Sequence, residues 1–159
     1  MWYNLNFKSM SLPRCYLNMY SIVTRIFTLL GEMSNMKKTG TFTNHYHGIG
    51  GTVYTKGKNM LIIKGFKYDG TGPDVFFLVG TQGSPSDSGT ILSYPYKGKH
   101  YEYNDENAPT LKEKFSGNME VKLVLPPSLT VMNIKWISVW CREFSVNFGD
   151  VIFTLETAS

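Results

Sequence analysis

Two cysteines, three histidines and a set of aspartates in glycine-rich turns are the residues of this 159-residue chain whose types invite chemistry. Cys15 and Cys141 are too few to form a disulfide framework, and they fall in two very different regions. With the N-terminal region removed or loose, Cys141 has three fates open to it: a buried thiol, an intermolecular link or a reactive group. Arg142, next in sequence, favours the thiolate, while Glu143 opposes it, and the two effects roughly cancel. The plainer alternative is a buried cysteine beside Val139 acting as a small apolar side chain.

His45-Tyr46-His47, if extended, places both imidazoles on one side of a strand, a spacing that chelates copper or another transition metal. No third ligand can be named from the sequence, so a copper-type oxidase or oxygenase ranks last and capping histidines are the simpler reading. Asp69, Asp74 and Asp150 would gather a hard cation only if their loops met. An aspartate beside glycine in a tight turn more commonly bonds nearby backbone amides. Tyr94, Tyr96, Tyr101 and Tyr103 crowd one region with Lys97 and Lys99, offering flat faces and donors to sugar rings or a protein partner, although some must simply cover the core. A Gly-Lys-Ser/Thr phosphate loop, a Gly-x-Ser-x-Gly elbow and a paired Cys-x-x-Cys clip are absent, and Gly48-Ile49-Gly50-Gly51 lacks dinucleotide spacing. No cofactor is implied, and independent catalysis is not expected.

The elements that would position these groups are short strands. Gly51–Thr55 and Met60–Lys64 are strand formers around a turn at 56–59, which predicts a hairpin. Asp69-Gly70-Thr71-Gly72-Pro73-Asp74 enforces a sharp reversal. The unbroken apolar run Val75–Val79 then predicts a central strand buried on both faces. Thr90–Tyr94 is another strand, and Val121, Leu123 and Leu125 alternate along Glu120–Leu125 before Pro126-Pro127 ends it. Along Lys135–Cys141, Trp136, Ser138 and Trp140 face one way and Ile137, Val139 and Cys141 the other. Phe148-Gly149-Asp150 is expected to turn the chain into a last strand, Val151–Leu155. About seven strands with frequent turns predict an all-β fold, a small antiparallel sandwich of jelly-roll-like or barrel-like form. An irregular or helical segment precedes it: residues 1–30 are a leader or an irregular N-terminal segment, 31–155 the domain and 156–159 a tail.

Apolar residues make up 42% of the chain, enough for one real core, and charged residues only 18%. The formal net charge of +4 arises entirely in residues 1–40, where Lys8, Arg14, Arg25, Lys37 and Lys38 face Glu32 alone. Residues 41–159 carry eleven positive and eleven negative side chains, which removes compositional support for a nucleic-acid surface. Arg25 interrupts the apolar stretch 15–30, so it spans no membrane and makes a poor signal peptide.

Leu30-Gly31, His47-Gly48, Gly51-Thr52-Val53-Tyr54, Asp69 to Phe77, Val79-Gly80-Thr81, Leu125-Pro126, Lys135 to Cys141 and Asn147 to Val151 together resemble, in order and spacing, the DM-thirteen domain family of Skeletor-like and Knickkopf-like proteins. The likeness covers about residues 30–155. It implies an extracellular or cell-surface all-β module, usually one among several, with a redox or electron-transfer role and a characteristic cysteine that corresponds to Cys141. Cys15 lies outside the matched region. The expected function is therefore an accessory module handling electrons or cross-links through one cysteine, with a matrix or cell-surface protein as partner. The alternative is a non-catalytic module binding matrix or a chitin-like polysaccharide.

Overall fold

The computed structural model describes residue 19, residues 21–27 and residues 36–153. The chain divides into two compact units, 1–35 and 36–159. In the first, residues 21–27 are helical. Among the described residues no helix is long and apolar enough to cross a membrane. Cys15, most of the expected leader and the end of the expected last strand lie outside the described residues.

The second unit is an antiparallel sandwich of two five-stranded sheets, as its strand-and-turn pattern predicts. One sheet contains β1 (Met36–Thr41), β3 (Gly50–Lys56), β4 (Met60–Tyr68), β7 (Phe115–Ser116) and β8 (Val121–Val124), the last two sharing one edge of β4. The other runs in the order β2 (Thr43–Asn44), β10 (Val146–Ile152), β9 (Trp136–Cys141), β5 (Val75–Gly80), β6 (Thr90–Leu92). The hairpin of β3 and β4 forms as expected, with Lys56 opposite Met60.

β5 and β9 pair at the centre of the second sheet and every residue of both is buried. The period-two alternation splits them cleanly. Val75, Phe77, Val79, Ile137, Val139 and Cys141 enter the core between the sheets. Phe76, Leu78, Trp136 and Trp140 form a second cluster on the outer face, roofed by Ala108, Tyr101 and Tyr103. The polar 81–114 connection is thus a cover as well as a surface loop. It accepts the Trp136 Nε1–H at the carbonyl of Gln82 (2.9 Å) and the Trp140 Nε1–H at the Tyr103 hydroxyl (3.0 Å), satisfying donors that would otherwise be buried unpaired.

Two expectations need correction. Phe148-Gly149-Asp150 does not turn the chain: it lies inside β10, where the register shifts between Asn147 and Gly149 in a bulge. Gly149 is needed for close approach, since a Cβ there would lie 2.7 Å from Ile49 Cγ2 and 2.8 Å from the Thr43 carbonyl. The reversal falls earlier, at residues 142–145. The described residues also hold ten strands, the unforeseen ones being β1, β2 and β7. Two of these are only two residues long, and β1 carries Lys37 and Lys38 in place of an apolar alternation, as edge strands do.

Candidate functional site

Tyr68 ends β4 in one sheet and Val75 begins β5 in the other, so residues 69–74 cross the end of the sandwich from sheet to sheet. The turn is tied internally. The Asp69 carboxylate accepts the Thr71 amide (2.9 Å) and hydroxyl (2.8 Å), the backbone-bonding role expected of an aspartate before glycine. The Gly72 amide donates to the Tyr68 hydroxyl at 2.8 Å. A Cβ on Gly72 would fall 2.4 Å from Val75 Cγ2 and 2.8 Å from both Phe148 Cε2 and the Tyr68 hydroxyl, so only glycine lets the turn settle onto the core.

Cys141 lies under this end. It closes β9, opposite Val75 on one side and Val146 on the other, with its side chain in the core cluster that also holds Tyr68, Val75 and Phe148. Its exposure is 0%, and it is a free thiol with no second cysteine among the described residues. Burial pushes the Tyr68 phenol above its ordinary range, against the Gly72 amide that favours the phenolate, and the nearby Asp69 and Cys141 groups add to the rise.

Arg142 does not serve the thiol. Its Nε donates to Asp74 Oδ2 at 2.7 Å and its Nη1 to the carbonyls of Tyr103 (2.7 Å) and Asp105 (3.1 Å), with the guanidinium 4.7 Å over the Phe76 ring. Those partners belong to the outer face of the sheet, opposite Cys141, and Glu143 is exposed. Arg142 instead fastens Asp74 and the 103–105 loop to the strand ends.

His45 and His47 are not on a strand but in the bend after β2, and they diverge. His45 Nε2 meets Asp150 Oδ1 at 2.6 Å, while His47 Nδ1 meets Asp69 Oδ2 at 3.0 Å and Thr71 Oγ1 at 3.0 Å. The His47 ring packs 4.1 Å from Phe148 and edge-on to Tyr68, on a backbone with φ of 60° that non-glycine residues seldom adopt. Asp69, Asp74 and Asp150 therefore answer His47, Arg142 and His45 separately, and among the described residues no three metal-ligating side chains gather. Partial burial acts to raise the Asp69 carboxyl, but the Thr71 amide and hydroxyl and His47 outweigh it and hold it below the usual carboxylate range.

The four tyrosines do not share one surface. Tyr94 packs edge-on to Phe77 and Phe115, and Tyr101 and Tyr103 lie against the outer cluster, with Lys99 4.4 Å over the Tyr101 ring. Tyr96 stands apart, its hydroxyl 3.2 Å from His100 Nε2, lining a cleft of about 540 Å³ with Lys58, Asn59, Pro126 and Pro127. His100 Nδ1 is buried there without a hydrogen-bond partner.

Tyr68 and Arg142 carry structural duties at the Cys141 end that the sequence reading did not assign. A bulge hides Tyr68. Leu61 and Ile63 point into the core, strict alternation would send Tyr68 out, and the register shift around Gly65, at φ of 67°, resets the parity so that Phe66 and Tyr68 point in.

Residues 41–153 match the family model described as Electron transfer DM13. Over 114 residues, 72% of this chain, the sequence is 39% identical to Protein Skeletor, isoforms B/C, of Drosophila melanogaster, and equally to its isoforms D/E. The matched stretch is 13% and 7% of those proteins' own lengths, so the chain corresponds to a small part of each. No solved structure matches. The chain belongs to the electron transfer DM13 family.

Proposed function

We propose that residues 31–155 act as an electron-transfer module of an extracellular or cell-surface protein, with Cys141 as the redox atom. The single observation that carries this reading is the placement of Cys141. It is the one cysteine of the matched segment, and it ends β9, opposite Val75 at the start of β5, with its side chain in the core. Its burial bears on the kind of chemistry. A lasting cross-link and a transient exchange both need the sulfur exposed, so Cys141 reacts with a partner only when the packing around it opens. In exchange the Cys141 thiolate attacks a disulfide, one new S–S bond forms and the departing thiolate takes the electron pair. The module works without independent catalysis, presenting this sulfur to a partner protein.

The test uses oxidised glutathione as the disulfide. Wild type is expected to gain a reducible mixed disulfide mapped by mass spectrometry to the Cys141 peptide, and Cys141→Ser to gain none there. A wild-type Cys141 that stays unmodified rejects the redox reading.

A second reading, binding of a matrix polysaccharide, is favoured by the Tyr96 cleft. An aromatic ring, a lysine, an asparagine and two prolines line one open concavity, a composition suited to a sugar ring.

A further inference from the structure

The two sheets differ in what covers their outer faces. The sheet of β5 and β9 is roofed by the 81–114 connection, with Ala108, Tyr101 and Tyr103 over its outer apolar cluster. Among the described residues, the sheet of β3 and β4 carries no such cluster on its outside. Val53, Leu61, Ile63, Val121 and Leu123 enter the core, so the residues between them point outward. The register lays Lys38, Tyr54, Ile62 and Lys122 in one row across β1, β3, β4 and β8, three interstrand steps or about 14 Å from end to end. Lys56 stands two residues on from Tyr54, and Lys64 two on from Ile62. Lys67 returns to the same face after the register shift, between the inward Phe66 and Tyr68.

Five lysines therefore share this face. Glu120, 3.7 Å from the Lys122 ammonium, is the acid beside them among the described residues. Residues 41–159 balance eleven positive against eleven negative side chains, and the fold separates what composition averages out. Lys38, Lys64, Lys67 and Lys122 are exposed, and none of the first three is paired with an acidic side chain among the described residues. Lys64 stands 5.3 Å over the Tyr54 ring. Ile62, at the centre, is buried with Tyr54 and Lys122 directly across from it, and such long amphipathic side chains cover apolar surface while their polar ends stay in water. Charges of one sign gathered on one face raise the local concentration of anions far more than the same charges scattered among acids.

We propose that this face binds an acidic polysaccharide, a linear chain bearing sulfate or carboxylate groups, with Lys38, Lys64, Lys67 and Lys122 on its anions. Neither Cys141 nor the Tyr96 cleft takes part. Three features select a glycan from among the polyanions. All five cations are lysines, and arginine, whose planar fork grips phosphate at two points, is absent from the face. A sheet seen face-on offers no helix or ribbon to enter the groove of a nucleic-acid duplex. The large apolar side chains exposed in residues 36–153 are Tyr46, Met119, Met132, Phe144 and Ile152, and none belongs to β1, β3, β4 or β8, so the face has little to insert into a lipid surface. Thr41, Thr52 and Tyr54 instead set hydroxyls among the lysines, those of Thr41 and Thr52 3.3 Å apart, where they can exchange hydrogen bonds with sugar hydroxyls.

The experiment measures binding of the full chain to heparin, a sulfated polysaccharide, over a range of salt. Wild type is expected to bind at physiological salt and to weaken steeply as salt rises. Lys64→Gln combined with Lys67→Gln removes two exposed charges from the face, and Lys97→Gln combined with Lys99→Gln removes two exposed charges from the roof of the other sheet. The first pair is expected to weaken binding at least about tenfold and to lower the slope of log K against log salt by about 2. The second pair is expected to change binding by less than about twofold. Urea midpoints equal to wild type show that both pairs keep the fold. Equal losses in the two pairs mean that net charge alone governs binding and overturn the proposal, as does a wild type that heparin does not retain. Duplex DNA or phosphatidylserine vesicles that bind more tightly than heparin at the same salt overturn the assignment to a glycan.

Discussion

Asp69 concentrates most of what individual residues do here, since it caps its own turn, holds His47 and lies beside the Tyr68 phenol. Its carboxyl is held below the usual range in the folded chain, so it favours the fold above the unfolded value of about 3.9 and that favour is lost as pH falls through the folded value. With 42% of its side chain exposed, solvent screening keeps the contribution below about 1 kcal/mol. Asp69→Asn should therefore unfold at lower urea than wild type at pH 7, with the gap narrowing as the pH falls below about 4. Equal midpoints at both pH values would remove this role. The orientation of Cys141 was legible in the sequence, because Trp136 to Cys141 alternate without interruption. That of Tyr68 was not, because a one-residue register shift reverses every side chain after it and leaves no mark on composition.

Strands β5 and β9 show what an element contributes beyond its residues. Both are buried on both faces, so each must fit two packed layers at once, and glycine appears where the fit is tightest. A Cβ on Gly80 would lie 2.0 Å from Trp136 Cζ2, inside a ring that is itself fully buried. Gly80→Ala should cost about 3 kcal/mol by overpacking, read as a lower urea midpoint with an altered tryptophan emission. An unchanged midpoint would mean that the indole has room to move. Doubly buried strands announce themselves as apolar runs, and Val75–Val79 did so. Edge strands β1, β2 and β7 carry no such run: they exist because a neighbour offers unpaired backbone groups, which is tertiary information. Gly149 looks like a turn signal in the sequence for the same reason, its true neighbours Ile49 and Thr43 being about a hundred residues away in sequence.

Across the whole molecule, β4 separates two regions. Its nine residues, about 26 Å of strand, run from the Tyr96 cleft beside Asn59 to the 69–74 turn. The two proposed activities, sugar binding and thiol exchange, are therefore separable by substitution. If the second reading holds, Tyr96→Ala should weaken retention on insoluble chitin by about 1 kcal/mol, roughly fivefold, while Cys141→Ser is retained like wild type. Absence of wild-type retention, or full retention of Tyr96→Ala, would discard the cleft as a sugar site. The four tyrosines occupy three environments, a division that composition alone does not reveal.

The complete burial of Cys141 also bears on durability. Thiols on protein surfaces climb toward sulfenic and sulfinic acids whenever peroxide is near, and the later steps do not reverse. A sulfur with no exposed surface is oxidised only at the pace at which the packing around it opens. In harsh surroundings the lifetime of this thiol is then set by the stability of the sandwich and not by the thiol itself.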